Sequence, residues 1–100
     1  MGEPRLVVPR VFVTPAGKAD LADAENWYAT HSPQMIPIFR KAFRAVVKRI
    51  ETNPRQFSLA QQQTRKALVR RFPYLVLFRE TEHAAYVVAV FHTRRDPRRR

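Results

Sequence analysis

The last apolar run of this chain, Ala84 to Phe91, gives way at once to His92, Thr93, Arg94, Arg95, Asp96 and Pro97. A histidine titrates near neutrality and can pass a proton in either direction. Arginine presents a planar fork that grips phosphate or carboxylate oxygens. Arg71 and Arg79 bracket the preceding apolar run and can extend the same cationic patch, so Arg71, Arg79, His92, Arg94 and Arg95 make up the candidate contact surface. Within that set, His92 could act as acid or base, and Arg94 and Arg95 could contact phosphate. Structural roles compete with each of these. His92 can tie the last strand to a loop, Asp96 can pair with Arg94 or Arg95, and Tyr74 suits a core edge as well as a base-stacking platform. Trp27 and Tyr28 read as packing residues.

Composition closes off other chemistries. The absence of cysteine removes thiolate nucleophiles, disulfides and cysteine zinc sites, and makes a cytoplasmic location the default expectation. The three histidines, His31, His83 and His92, are scattered and form no helical pair, so no metal is expected. Two glycines cannot build a phosphate-cradling loop, and no cofactor is expected.

The elements that must position the cationic patch can be read from the apolar periodicity. Tyr74 to Arg79 and Ala84 to Phe91, separated by Glu80, Thr81, Glu82 and His83, predict an antiparallel hairpin of undetermined turn type. Arg10 to Val13 predicts a short strand, with Pro9 before it arguing for an edge position. Thr14 and Pro15 form a helix-start pair, and the helix should run to about Thr30 with Leu21, Ala24 and Tyr28 as its buried stripe. Ser32 and Pro33 repeat the start signal. Pro37 implies either an irregular first turn or a helix that begins near Pro37 itself. Beyond it, Phe39, Ala42, Phe43, Val46 and Ile50 make a wide apolar face, and Asn53 before Pro54 ends the helix. Arg55 to Thr64 reads as an ordered polar loop anchored by Phe57. The alternation of Ala67 to Phe72 predicts a half-buried strand on which Arg70 and Arg71 point in opposite directions. The expected fold class is α+β, a two-helix hairpin packed on a small, mainly antiparallel sheet in the order β-α-α-β-β-β.

The chain has 100 residues and fits one domain, with residues 1–9 as a lead-in, 10–97 as the folded unit and 98–100 as a basic tail. No run approaches the ~20 apolar residues of a membrane span, and no membrane partner is expected. The formal net charge is +11. Between Arg40 and Arg71 ten basic residues face the single acid Glu51, and the final seven residues hold five arginines. Such a balance points to an acidic or polyanionic partner.

Asp20 and Leu21 within Pro15 to Tyr28, the Asn53-Pro54 helix end, and Arg71, Phe72, Pro73, Tyr74 followed by Val90, Phe91, His92, Thr93, Arg94, Arg95, Asp96, Pro97 together resemble the ParE/RelE superfamily of bacterial toxins. The resemblance spans about Arg10 to Arg98. It implies the toxin half of a type II toxin-antitoxin pair, neutralised by an acidic and usually DNA-binding antitoxin; the residues that would contact that antitoxin are not identified. RelE-like members are ribosome-dependent messenger ribonucleases, while ParE-like members poison DNA gyrase. RelE-like chains usually carry an arginine in the strand that here reads Tyr74, Leu75, Val76, and its replacement by Tyr74 favours the gyrase branch. The resemblance therefore implies a non-catalytic gyrase poison, and as its alternative a RelE-like ribosome-dependent endoribonuclease with His92 as proton donor or acceptor and Arg71 and Arg94 as phosphate stabilisers; a plain basic nucleic-acid-binding module is a further alternative supported by charge alone.

Overall fold

The computed structural model describes residues 10–95. Asp96 and Pro97, the lead-in 1–9 and the basic tail 98–100 lie outside the described residues. The chain enters through β1 (Arg10–Val13) and turns directly into helix α1 (Pro15–His31). Thr14 caps that helix: its hydroxyl accepts from the Gly17 amide at 3.1 Å and donates to the Val87 carbonyl at 3.0 Å. The start signal read at Thr14 and Pro15 is thus a working N-cap, which also ties the helix to the sheet.

Pro33–Met35 forms a 3-10 turn, and α2 (Ile36–Thr52) follows with Pro37 in its first turn, where a missing amide costs nothing. Ser32 does not act as a side-chain cap, a correction to the repeated start signal: its φ and ψ of -158° and 74° serve to close α1, its amide donating to the Tyr28 carbonyl. Arg40 on α2 grips Glu25 on α1 through two hydrogen bonds of 2.8 Å and so fastens the helical hairpin. That bond holds the Glu25 carboxyl below the usual carboxylate range.

Four more strands complete the sheet: β2 (Leu59–Gln61), β3 (Thr64–Leu68), β4 (Tyr74–Glu80) and β5 (Ala84–His92). Their spatial order is β1-β5-β4-β3-β2, antiparallel except for the parallel pairing of edge strand β1 with β5. The expected α+β order holds, with two corrections in its middle. The segment read as a polar loop contains the 3-10 turn Pro54–Gln56 and the short strand β2, whose three residues are all exposed and so show no apolar alternation. The strand read over Ala67 to Phe72 lies earlier, as β3, and Val69 to Pro73 is the turn into β4. Val69 and Phe72 are buried there by turn geometry rather than by strand alternation, and Arg71 takes a left-handed φ of 71°.

The core fills the space between the two helices and one face of the sheet. Tyr28, Phe39, Phe72 and Tyr74 meet ring against ring with centroids 5.3 to 6.3 Å apart, and Val46, Ile50, Val76, Phe78, Val87 and Val90 continue the cluster. A bulge at Val88 interrupts the β4–β5 ladder: Leu77 pairs with Ala89, whereas Phe78 pairs with Val87. The extra residue reverses the alternation of β5. Ala85 and Val87 face the core before it and Val90 after it, so His92 shares the helix-covered face with its partner Tyr74. No helix among the described residues is long and apolar enough to cross a membrane.

Candidate functional site

The exit of β5 meets the last two turns of α1 and the first residue of β4. Directly after His92 the chain turns sharply, and the imidazole itself holds the turn. Its Nδ1 accepts from the backbone amides of Arg94 at 3.0 Å and Arg95 at 2.9 Å. An accepting Nδ1 requires a neutral ring with its proton on Nε2. Burial and the neighbouring Arg95 and Arg94 push the His92 pKa down, which favours that neutral form. The ring also lies edge-on to Tyr74, with centroids 5.2 Å apart.

The turn delivers the Arg95 guanidinium to two aromatic partners. Its Nη2 donates to the Tyr74 hydroxyl at 2.9 Å, and its Cζ lies 4.0 Å from the centre of the Trp27 ring. Trp27 in turn stacks on His31, one helical turn later, with centroids 4.0 Å apart and planes 12° from parallel. The His31 Nδ1 is 2.8 Å from the Trp27 carbonyl oxygen, which orients that ring. Burial raises the Tyr74 phenol pKa and Arg95 opposes the rise; burial likewise raises that of Tyr28. The result is a half-open patch in which one cation is locked over an indole by two independent contacts.

Of the five candidate contact residues, the structure brings His92, Arg94 and Arg95 together. The Arg94 side chain is exposed beside them. Arg71 sits in the β3–β4 turn at the same end of the sheet, where the Thr93 amide donates to the Pro73 carbonyl at 2.8 Å. Arg79 does not join, which corrects the expected cluster with Arg71 or Arg94. It pairs with Tyr86 near the far end of the hairpin, on the helix-free face, and its Nε reaches Thr64 Oγ1 at 3.4 Å. It lies five positions along β4 from Tyr74, about 16 Å of extended chain.

Three participants were not found by sequence reasoning. Trp27 and His31 stand four apart on a helix and therefore share a face, a spacing that carries their stack. Asp20, quoted for the family resemblance without a structural role, accepts from the Val90 amide at 2.9 Å and so helps pin α1 to β5.

Comparison with known proteins is consistent across sequence and structure. The family model described as the ParE toxin of type II toxin-antitoxin systems, parDE, matches residues 11–97. Toxin ParE2 of Mycobacterium tuberculosis (strain CDC 1551 / Oshkosh) is 34% identical over 79 residues, covering 78% of this chain and 75% of the relative. Toxin ParE2 of strain ATCC 25618 / H37Rv matches to the same extent, 34% over 79 residues. Among solved structures, a chain described as the chromosomal ParDE TA system from P. aeruginosa matches with a TM-score of 0.75, covering 87% of this chain and 98% of its own length. At 15% identity that likeness concerns the fold.

Proposed function

We propose that this chain, which belongs to the ParE toxin family of type II toxin-antitoxin systems, is a cytoplasmic toxin that is held inactive by an acidic cognate antitoxin and, once free, poisons DNA gyrase by contact alone. The observation that carries this reading is the occupation of its best acid-base candidate. His92 spends Nδ1 on two backbone amides, and its neutral ring is part of the scaffold that aims Arg95. Tyr74, at the place where RelE-like chains usually carry an arginine, is buried with its hydroxyl engaged by Arg95. The site thus offers a fixed cation on an aromatic platform, which suits a protein or nucleoprotein surface better than phosphodiester cleavage. Arg94 and Arg71, exposed at the same end of the sheet, extend the contact.

The test is a gyrase supercoiling reaction with purified protein. The expected result is inhibition with accumulation of cleaved DNA, weakened about tenfold by Arg95→Ala, the loss typical of a central arginine contact. Arg95→Lys should restore little, because an ammonium cannot reproduce the fork that spans Tyr74 and Trp27. Unimpaired supercoiling at saturating protein would overturn the reading. Cuts in messenger on programmed ribosomes would replace it with the endoribonuclease alternative, with His92, Arg71 and Arg94 as the working residues.

A further inference from the structure

Both helices pack on one face of the sheet, and the opposite face carries a pattern of its own. Val11, Ala67, Phe78 and Val87 belong to the core or pack against it, so their strand neighbours Phe12, Lys66, Leu77, Arg79 and Tyr86 project the other way. The register sets Thr64, Arg79, Tyr86 and Phe12 in one row across β3, β4, β5 and β1. Three strand spacings make that row about 14 Å long. At its end Phe12 and Tyr86 are 44% and 37% exposed, yet their rings stack on each other with centroids 5.6 Å apart and planes 25° from parallel. Two rings held this way offer solvent a flat, preset aromatic surface.

The charge around the rings has one sign. Arg79 stands beside Tyr86 with its Nε 3.4 Å from Thr64 Oγ1, Arg10 lies two residues before Phe12 on the same face, and Lys66 pairs with Leu77 in the next row. All three cations are exposed, and none pairs with an acid among the described residues. Glu80 is the only acid in the five strands, and it lies on the helix-covered side, opposite Ala85 and ion-paired with Arg65. A second copy of this chain would bring like charges against like. Unpaired nucleotides fit both features at once, because their bases stack on aromatic rings while their phosphates meet cations. Open sheets with aromatics on adjacent strands take two or three bases in this manner.

We propose that the helix-free face binds single-stranded DNA, with a base stacked on the Phe12 and Tyr86 pair and the neighbouring phosphates held by Arg79, Arg10 and Lys66. A duplex hides the faces of its bases and can use only the cations. Leu77 and Ala89, beside the pair, give a ribose 2′-hydroxyl nothing to bond, which favours DNA over RNA. The choice of DNA also rests on the gyrase reading above, in which the toxin works beside cleaved strands. The face is distinct from the Arg95 and Trp27 patch, which lies across the sheet at the exit of β5.

The test follows the fluorescence anisotropy of a labelled thymidine oligomer of about ten nucleotides as the full chain is added. The oligomer should bind more tightly than a duplex of the same length. Phe12→Ala or Tyr86→Leu, neither of which alters charge, should each weaken binding about tenfold, the usual loss of one stacked base, whereas Tyr86→Trp should retain it. With three cations on phosphate, log affinity should fall against log salt with a slope of about −2. Arg10→Glu combined with Lys66→Glu should cost far more than Lys41→Glu combined with Lys48→Glu, which changes the net charge equally on α2. Amide shifts in ¹⁵N-labelled protein should concentrate in residues 10–13, 64–66, 77–79 and 84–89. Four results overturn the proposal: a duplex bound as tightly as the single strand; affinity indifferent to loss of the rings; a uridine oligomer bound as tightly as thymidine; or phosphatidylserine vesicles released by the ring variants while DNA stays bound. Gyrase inhibition by the unaltered protein is scored separately. No oligomer binding with inhibition intact removes the DNA face alone, whereas localised binding without inhibition removes the gyrase reading alone.

Discussion

His92 illustrates how a residue well suited to chemistry can be absorbed into architecture. With its Nδ1 accepting from two amides, the ring cannot take a proton there without breaking the turn that carries Arg95. Burial and two arginines lower its pKa from the ordinary 6.5. The unfolded chain therefore binds that proton at a higher pH than the folded one, and stability rises with pH between the folded value and about 6.5. His92 contributes fully above the upper limit, and the contribution is lost as pH falls through the folded value. Thermal unfolding followed between about pH 5 and pH 8 should show the difference between wild type and His92→Asn changing across this window. Asparagine can accept the same amides through its side-chain oxygen and does not titrate. A pH-independent difference between the two proteins would mean that the ring does not hold the turn in its neutral form.

At the scale of elements, the decisive contact is the seat of α1 on β5. Thr14 bonds to Val87 through both its amide and its hydroxyl, and Asp20 takes the Val90 amide. Beyond the last residue of β1, the open side of β5 is thus finished by a helix rather than by another strand. Gly17 makes the approach possible: a Cβ there would lie 2.7 Å from the Val87 carbonyl oxygen and 3.0 Å from Val13 Cγ1. Gly17→Ala would ordinarily stabilise a helix by about 1 kcal/mol. Here backbone blocks the added methyl group, so the variant should instead be destabilised by about 1 to 3 kcal/mol, the usual cost of overpacking. Urea unfolding checks the sign. Because Trp27, Tyr28 and His31 ride on the same helix, the variant should also show altered tryptophan fluorescence, as the indole moves relative to Arg95.

For the whole molecule, the excess of positive charge matters more than any single pair. Most of it lies on α2 and the turn beside it and at the exit of β5, while the described ion pairs, such as Arg40 with Glu25, are open to solvent on at least one side and each contributes only modestly to stability. A net charge of +11 should act on the rate of encounter with an acidic partner. The association rate with a glutamate-rich model peptide is expected to fall more than about tenfold as the screening length drops from about 10 Å at 0.1 M salt to about 3 Å at 1 M, with the dissociation rate changing less. Stopped-flow mixing at several salt concentrations reads both. A salt-independent association rate would show that the charge does not steer.

The amino-acid sequence determined what local physics can determine. Thr14 and Pro15 start a helix, Asn53 before Pro54 ends one, and two apolar runs four residues apart close a hairpin; each signal is complete within a few neighbours and each holds in the structure. It also determined that a cationic cluster follows Phe91. Tertiary structure decided which way that cluster faces. Continued alternation from Ala85 and Val87 would turn Ala89 and Phe91 toward the helices and His92 away from them; the bulge at Val88 reverses this, and it shows only in the pairing with β4. The same holds for Arg79, close to the patch in a list of basic residues yet on the other face and at the far end of the sheet. Strand β2 escaped notice because an edge strand exposed at every residue needs no apolar alternation, only a neighbour to pair with.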